Sequence, residues 1–444
     1  MKWIGIGFLL MMTAAPAMSQ ATGDEDLIRA SQGAASSIFF KPTFSTSLEG
    51  VDTFYDEREC IVRKGMAHIM HLLKTGQPAR IAYIGGSITQ GELCYRQQSA
   101  KFITERYPAS RIQFLNAGVS GTGTDLGACR LGTQVLTHKP DCIFIEFAVN
   151  GAFAPGMEGM VRQVIRDNPL TDICLIYTIK TGQTTDYANG SVPANIEGLE
   201  AIADRYGLTS VHLGLQAALM EKNNQLLWKG TKEQAGKRLL FSTDGIHPLP
   251  EGGNLYAQAI ARAFIKLEKQ SLPVVKKQLP APLLADNWED AGMYAAKDIA
   301  QFDGAWEKME LEKASPFYRY RPWFPYIMTS AKAGASFTFR FEGSAFGIFD
   351  IGGPEAGQLD IEVDGKALPR INRFNAWCNN RYRGQYELIS VAPGKHRVTI
   401  KLSAEKADKL SILGKNTADI KAHPEKYDRT VIYLGRILLR GKPL

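Results

Sequence analysis

The first half of the chain alternates short apolar runs with longer amphipathic stretches, a pattern typical of β-α-β units around a parallel sheet. Apolar runs predict strands over 81–84, 112–116, 142–149, 173–178 and 209–212. Helical periodicity predicts one helix before these strands, over 60–73, and a last one over 251–266. We therefore expect a doubly wound α/β layer with its active crevice beyond the carboxyl ends of the strands.

The pattern changes after residue 272, where a proline-rich stretch is followed by runs of β-forming residues. These runs cover 336–341, 345–351, 358–363, 388–391, 396–402 and 431–439. Turn signals at Asp364-Gly365 and Pro393-Gly394 separate some of them, which favours a small β-sandwich. The expected segments are 20–58 (N-terminal), 59–272 (α/β domain), 273–285 (linker) and 286–444 (β-sandwich accessory domain). The stretch 38–45 is β-compatible and fits either domain.

The extreme N-terminus is typical of a cleaved signal peptide over 1–19. Lys2 precedes an apolar run that ends in Ala17-Met18-Ser19. The run is shorter than the roughly 20 residues that a membrane-spanning helix needs. We expect export to the periplasm or the medium, with a mature chain that begins near Gln20 and no stable membrane insertion.

Composition excludes several classes of protein. The 444 residues are 45% apolar and 22% charged, which excludes disordered, collagen-like and coiled-coil proteins. Lys and Arg number 52 against 45 Asp and Glu, without a basic tail, so no nucleic-acid partner is expected. The oligomeric state stays open. Cys142 and Cys174 lie in predicted strands as packing residues, whereas a Cys94–Cys129 disulfide remains an alternative.

A serine stands where the first predicted strand ends, in the sequence Gly-Gly-Ser-Ile-Thr at 85–89. This places the Ser87 hydroxyl at the carboxyl edge of the sheet. The glycines permit unusual backbone angles and a close approach to substrate, and the following N–H groups suit a developing oxyanion. The same motif also occurs in phosphate-binding turns and ordinary loops.

A serine nucleophile needs a base and a group that orients the base. Asp244 stands three residues before His247, in a polar loop ahead of the last helix, so one short turn presents both groups. His212, at the end of a strand, is the reserve base. His68 and His71 share a helical face without a zinc-ligand pattern, so no metal site is expected.

Two further loops offer donors for an oxyanion, with Gly121 after the second strand and Asn150 after the third. Together with the N–H of Ser87 they form the expected oxyanion hole. Glu146 interrupts an otherwise apolar strand, and a buried carboxylate needs a partner. We expect a structural ion pair between Glu146 and Arg130, on the preceding helix, that supports the Asn150 loop; a catalytic role of Glu146 is the alternative.

Four motifs follow one another along the chain: the serine turn at 85–89, the glycine loop with Gly121, the loop with Asn150, and the Asp244–His247 turn. In this order they resemble the GDSL or SGNH hydrolase superfamily over about residues 80–266. The resemblance implies a flavodoxin-like sheet, a catalytic triad of Ser87, Asp244 and His247, and an oxyanion hole of Ser87, Gly121 and Asn150, without metal or cofactor. The motifs at 85–89 and 146–150 look like those of secreted bacterial carbohydrate O-acetylesterases. Gly151 replaces an Asp of many relatives. The implied function is a serine esterase that deacetylates a polysaccharide or oligosaccharide through an acyl-enzyme.

Three other functions use some of the same residues. A lipase or thioesterase would share the catalytic groups, and a non-catalytic glycan-binding protein would need only the β-rich domain. The glycine-rich run 121–127 follows a strand as in nucleotide-binding proteins, but its third glycine is one place late. Aromatic clusters at 317–324 and 375–377 fit core or domain-interface packing better than sugar stacking, which remains the alternative.

Overall fold

The structure is a computed structural model that describes residues 38–43 and 47–444. The expected signal peptide and most of the expected N-terminal segment lie outside these residues. The described part contains a seven-stranded mixed sheet, a two-stranded parallel ladder and a nine-stranded antiparallel sheet.

The N-terminal half is built on the mixed sheet. Its strands are β1 (Phe39–Phe40), β2 (Cys60–Ile61), β3 (Ala79–Gly85), β4 (Ile112–Gly118), β5 (Cys142–Glu146), β6 (Asp172–Tyr177) and β7 (Thr209–His212). The order is β1-β4-β3-β5-β6-β7-β2, and the five central strands are parallel. Counted along the chain, the parallel strands are ordered 2-1-3-4-5, which confirms the flavodoxin-like fold. The order reverses between β3 and β5, so a crevice opens beyond their carboxyl ends.

Helices cover this sheet, because the residues of β5 and β6 are buried throughout and both faces therefore need a cover. The helices of this half are α1 (Ala67–Lys74), α2 (Ser87–Gln90), α3 (Tyr95–Arg106), α4 (Thr124–Gln134), α5 (Ala154–Asp167), α6 (Thr184–Ala188), α7 (Ala194–Tyr206), α8 (Leu215–Lys222), α9 (Lys232–Ala235) and α10 (Pro250–Glu268). Within the described ranges, no helix is long and apolar enough to cross a membrane.

Two elements at the edges of the sheet differ from the sequence prediction. The helix expected over 60–73 begins only at Ala67, because Cys60–Ile61 pairs with β7 as an edge strand. The β-compatible stretch 38–45 contributes β1, which pairs with β4 and so belongs to the α/β half. The parallel ladder of β8 (Leu226–Lys229) and β9 (Leu239–Ser242), which leads into the loop of Asp244, is not among the predicted elements.

The C-terminal region is the expected second, β-rich domain. Its strands are β10 (Ala291–Ala295), β11 (Ala300–Asp303), β12 (Glu307–Met309), β13 (Ile327–Ser330), β14 (Ser336–Gly352), β15 (Gln358–Val363), β16 (Lys366–Asn372), β17 (Arg383–Leu402) and β18 (Ile432–Pro443). Its short helices are α11 (Ala296–Ile299), α12 (Lys409–Leu413) and α13 (Ala418–Ala422). Hydrogen bonds join all nine strands into one curled antiparallel sheet, not into two separate sheets.

A bulge in β14 changes which face of this strand its side chains occupy. The pairing register shifts between Gly343 and Ala345, and a shift of one residue exchanges the two faces of a strand. Before the bulge Phe341 points into the β-domain core, and after it Phe346 does. The opposite face then carries Phe349, which packs into the same apolar cluster as the α/β half. The two halves therefore share a continuous core.

The expected linker between the two halves is packed against the α/β half. Residues 269–290 contain no helix or strand, yet Lys277 forms an ion pair with Asp172 at 2.8 Å, so this segment is fastened to the α/β half.

All six cysteines lie in the described part, and all are buried and free. The alternative of a Cys94–Cys129 disulfide is therefore wrong for this structure, and burial raises the pKa of the Cys94 thiol to about 12.

Candidate active site

Ser87 is the first residue of α2, directly after β3 and Gly86. The two glycines before it are needed for close packing. A Cβ on Gly85 would lie 2.5 Å from the Glu146 carbonyl oxygen, and one on Gly86 would lie 2.3 Å from Asn150 Oδ1. Neither glycine has a positive φ, so the left-handed backbone conformation does not explain them. Glycine is needed here because the backbone packs too closely against Glu146 and Asn150 to leave room for a Cβ.

Ser87, His247 and Asp244 form a chain of hydrogen bonds. Ser87 Oγ lies 2.7 Å from His247 Nε2, and His247 Nδ1 lies 2.6 Å from Asp244 Oδ2. A carboxylate at Nδ1 holds the proton on that nitrogen and leaves Nε2 as the acceptor that faces the serine. The arrangement can therefore remove the hydroxyl proton of Ser87.

The Asp244 carboxylate is held in its ionised form. Burial alone would raise the pKa of Asp244, but hydrogen bonds from the His247 side chain and from the backbone N–H groups of His247 and Ile246 outweigh it. Both N–H groups lie 2.8 Å from Oδ1. The pKa of Asp244 therefore lies well below its usual range, which keeps the negative charge beside the imidazole.

The loop that presents Asp244 and His247 is fixed through Gly245. The Gly245 carbonyl accepts hydrogen bonds from Thr181 N at 2.9 Å and from Trp228 Nε1 at 3.1 Å. Gly245 has φ +84°, and a Cβ there would lie 2.0 Å from Thr181 Oγ1, so only glycine fits. Thr181 and Trp228 support the turn from distant parts of the chain, and no local sequence pattern indicates this role.

The other histidines considered from the sequence lie elsewhere. His212, the reserve base, is buried in β7 with Nδ1 2.7 Å from the Tyr187 hydroxyl. His68 contacts Asp141 at 3.2 Å. Of the candidate bases, the structure brings His247 to Ser87.

The expected oxyanion donors surround the same crevice. Gly121 has φ +72°, and Ser120 N beside it donates to Gln90 Oε1 at 2.6 Å, which fixes this turn. The Asn150 Oδ1 atom is buried against Gly86 and has no hydrogen-bond partner among the described residues. That orientation leaves the Nδ2 donor of Asn150 for the pocket, which Asn150 lines.

Replacement of Gly121 by Ala is expected to lower kcat/KM for ester hydrolysis by roughly 10²-fold or more, the scale of losing one oxyanion donor. A Cβ at this position meets both a left-handed φ and Arg383 Nη2 at 2.7 Å, so the turn must move. Steady-state kinetics on a small acetyl ester measure the effect. Gly132→Ala, where a Cβ meets nothing within 4 Å, is the matched control. Full activity of the Gly121 variant would contradict this role.

The predicted ion pair of Glu146 with Arg130 is wrong. Glu146 is fully buried and accepts hydrogen bonds from Thr89 Oγ1 at 2.9 Å and from Thr178 Oγ1 at 2.5 Å. Arg130 instead donates to backbone carbonyls at the strand ends, including Gly85 O at 3.1 Å. Hydroxyl donors satisfy the carboxylate without an opposite charge, and Arg130 braces the strand that leads to Ser87.

We expect Glu146→Gln to reveal a pH-dependent cost of this buried carboxylate. Burial raises the pKa of Glu146 above the value of about 4.3 for an unfolded chain. A raised pKa favours folding below that value, and this contribution is lost as the pH rises through the folded-state pKa. Melting temperatures across pH should therefore show the wild type losing stability relative to the variant toward neutral pH. Glu307→Gln, an exposed carboxyl, is the control, and a constant difference would contradict the prediction.

Ser87 and His247 open into a pocket of about 390 Å³ that both halves of the molecule line. The lining residues are Ser87, Ser120, Gly121, Val149, Asn150, Ile246, His247, Trp377, Arg381 and Arg383. Trp377 is 63% exposed, so in the 375–377 cluster this ring is not core packing. No sequence pattern indicates Arg381 or Arg383, because two arginines just before and at the start of a strand belong to no motif.

The aromatic residues at 317–324 are packed in the core, as the sequence favours. Phe317, Tyr320, Trp323 and Phe324 are all buried in the apolar cluster shared by the two halves. Their rings pack against Phe349, Tyr382 and Tyr433 of the β-rich domain.

The flavodoxin-like sheet and the Ser-His-Asp chain of hydrogen bonds at its reversal point agree with the resemblance to the GDSL or SGNH hydrolases. Residues 83–255 match the sequence model of the GDSL-like Lipase/Acylhydrolase family. No curated protein sequence matches the chain.

Among solved structures, the chain is similar to a two-domain esterase active on acetylated mannans. The two share 21% identity and a TM-score of 0.67, over 87% of this chain and 99% of the esterase. The same esterase co-crystallized with mannopentaose matches with 22% identity and a TM-score of 0.64, over 84% of this chain and 94% of the other. This likeness shows that the two-domain fold is shared.

Proposed function

We propose that this protein is a serine esterase that removes O-acetyl groups from a carbohydrate through an acyl-enzyme intermediate. The observation that carries the proposal is the hydrogen-bonded chain of Ser87, His247 and Asp244, which ends in a pocket beside Gly121 and Asn150.

In the first step, His247 Nε2 takes the hydroxyl proton of Ser87 while Oγ attacks the acetyl carbonyl carbon. The carbonyl oxygen becomes an oxyanion that the N–H groups of Ser87 and Gly121 and the Nδ2 of Asn150 stabilise. The ester C–O bond then breaks, and the imidazolium gives its proton to the departing sugar oxygen. Asp244 stabilises the imidazolium that forms between these events.

In the second step, water attacks the acetyl-Ser87 carbonyl and His247 takes a proton from the water. Collapse of this second tetrahedral intermediate breaks the bond to Ser87 Oγ and releases acetate. His247 returns the proton to Oγ, which restores the free enzyme. The same donors hold both oxyanions, so one site serves both steps.

The lining of the pocket favours a short acyl group and a sugar alcohol. Only two of the lining side chains, Val149 and Ile246, are aliphatic, whereas a long acyl chain needs an extended apolar surface. The exposed ring of Trp377 offers a face on which a sugar ring can stack. The shared fold of an esterase active on acetylated mannans supports the same substrate class. We place the sugar-binding contribution in the region 286–444, separate from the hydrolase region 59–272.

Acetate release from a panel of acetylated polysaccharides tests this function. We expect release from at least one acetylated glycan, little hydrolysis of long-chain acyl esters, and loss of both activities with Ser87→Ala. Preferred hydrolysis of long-chain esters or thioesters would contradict the substrate class. Glycan binding without any hydrolysis would instead support a binding protein.

We also propose that the protein is exported and loses residues 1–19. The support is the charged start, the short apolar run and the small residues at 17–19. N-terminal sequencing of the protein from its native host should give a first residue near Gln20. Retention of Met1 or Lys2 would contradict cleavage.

A further inference from the structure

We propose that the glycan carries a carboxylate near the acetyl ester, and that Arg381 and Arg383 bind this carboxylate beside Trp377. The proposal rests on the esterase function above and names the class of its substrate: an acetylated, uronate-containing glycan.

Arg383 lies directly at the oxyanion pocket. Its Nη2 atom is 2.7 Å from the position that a Cβ on Gly121 would occupy, and its guanidinium carbon is 6.0 Å from the centre of the Trp377 ring. Arg381 is fixed on the same loop, because its Nε donates to the Trp377 carbonyl at 2.9 Å. Two guanidinium groups and one aromatic face thus form a single wall of the pocket.

Within the described residues, neither Arg381 nor Arg383 forms an ion pair with a carboxylate, and no Asp or Glu lines the pocket. Asp244, behind the lining residue His247, is already engaged by that imidazole. Two other buried or half-buried arginines do have such partners: Arg373 contacts Asp350 at 2.6 Å, and Arg262 contacts Glu59 at 2.6 Å.

A half-buried guanidinium loses part of its hydration, and no carboxylate of the described residues compensates for this loss at Arg381 or Arg383. Consistent with this, burial lowers the pKa of Arg383. An anionic ligand would supply the missing partner, and the planar guanidinium matches a carboxylate with two parallel hydrogen bonds. A sugar ring that stacks on Trp377 would bring its own or its neighbour's carboxylate to these groups. The wall therefore favours an acidic sugar over a neutral one.

A matched pair of substrates tests the proposal: an acetylated oligogalacturonide and its methyl ester, which has the same acetyl groups without the charge. We expect the wild type to prefer the acid by at least about tenfold in kcat/KM, the scale of a hydrogen bond to a charged group. Added salt should reduce this preference. In Arg383→Gln the ratio of the two kcat/KM values should fall toward one, and Arg383→Lys should retain part of it.

Arg340→Gln removes an exposed positive charge at the far end of β14 and should leave the ratio unchanged. Arg381→Gln should lower the ratio in the same direction as Arg383→Gln. Equal losses on the acid and the methyl ester in both pocket variants would overturn the proposal, because the guanidinium groups would then serve the ester and not the carboxylate.

The two levels of the hypothesis fail separately. If no acetylated sugar releases acetate in a Ser87-dependent manner, the esterase function fails. If acetate is released but the wild type does not distinguish the acid from its methyl ester, the esterase stands and the acidic substrate is wrong.

Discussion

Replacement of Ser87 by Ala is expected to reduce kcat for acetyl ester hydrolysis by roughly 10⁶-fold, the scale found when a hydrolase loses its serine nucleophile. The variant lacks the oxygen that forms the acyl bond, so the rest of the site can act only on a water molecule. The Ser87 side chain occupies little space in the pocket wall, and we expect the melting temperature to change little. Acetate release under single-turnover conditions measures the loss.

Ser120→Ala is the matched control, because Ser120 is a second serine at the pocket, next to Gly121. Its backbone N–H, not its hydroxyl, holds the turn through Gln90, so the variant should keep most of the activity. Covalent labelling of the wild type by an organophosphonate should modify Ser87. Labelling of another serine, or hydrolysis that survives in Ser87→Ala, would contradict the assigned nucleophile.

Replacement of Asp244 by Asn is expected to lower kcat by roughly 10⁴-fold, as in other serine hydrolases that lose the charge but keep the shape. An amide NH₂ group at the Oδ2 position cannot accept the Nδ1 proton of His247. The imidazole then favours the tautomer with its proton on Nε2, which cannot take a proton from Ser87. Kinetics on a small acetyl ester measure the effect, with Asp303→Asn, an exposed carboxyl, as the control.

The pH dependence of stability gives an independent test of Asp244. Its folded-state pKa is lowered, so its contribution to folding is present above the unfolded value of about 3.9 and is lost as the pH falls through the folded-state pKa. The difference in unfolding free energy between wild type and Asp244→Asn should therefore be constant near neutral pH and shrink only in strong acid. A difference that already disappears above about pH 5 would mean that the carboxylate is not held by these hydrogen bonds.

Prediction from the sequence succeeded where the signal is local. The runs at 81–84 and 209–212 lie within or coincide with observed strands, because continuous apolar stretches between polar turns have no other stable place than a covered sheet. The position of Ser87, Gly121 and Asn150 at one edge also follows, because the carboxyl ends of parallel strands meet on the same side.

Prediction from the sequence failed where a buried side chain has several possible hydrogen-bond partners. The predicted pair of Arg130 with Glu146 rests on opposite charge and on the position of Arg130 in the preceding helix, but Glu146 is satisfied by the hydroxyls of Thr89 and Thr178. Opposite charges must reach each other to pair, and only the packed strand ends decide which donors are within reach. The bulge at Gly343 was likewise missed, because the sequence on either side of it is β-forming.

The sequence by itself determined the α/β order, the β-rich second half and the residues able to perform serine chemistry, because those depend on periodicity and on short motifs. The tertiary structure alone decided that Trp377, Arg381 and Arg383, nearly three hundred residues after Ser87, line the same pocket. The β14 bulge places Phe349 in the apolar cluster that the two halves share. Contacts between the two halves depend on which face of each strand points inward, and this is determined only when the whole chain packs.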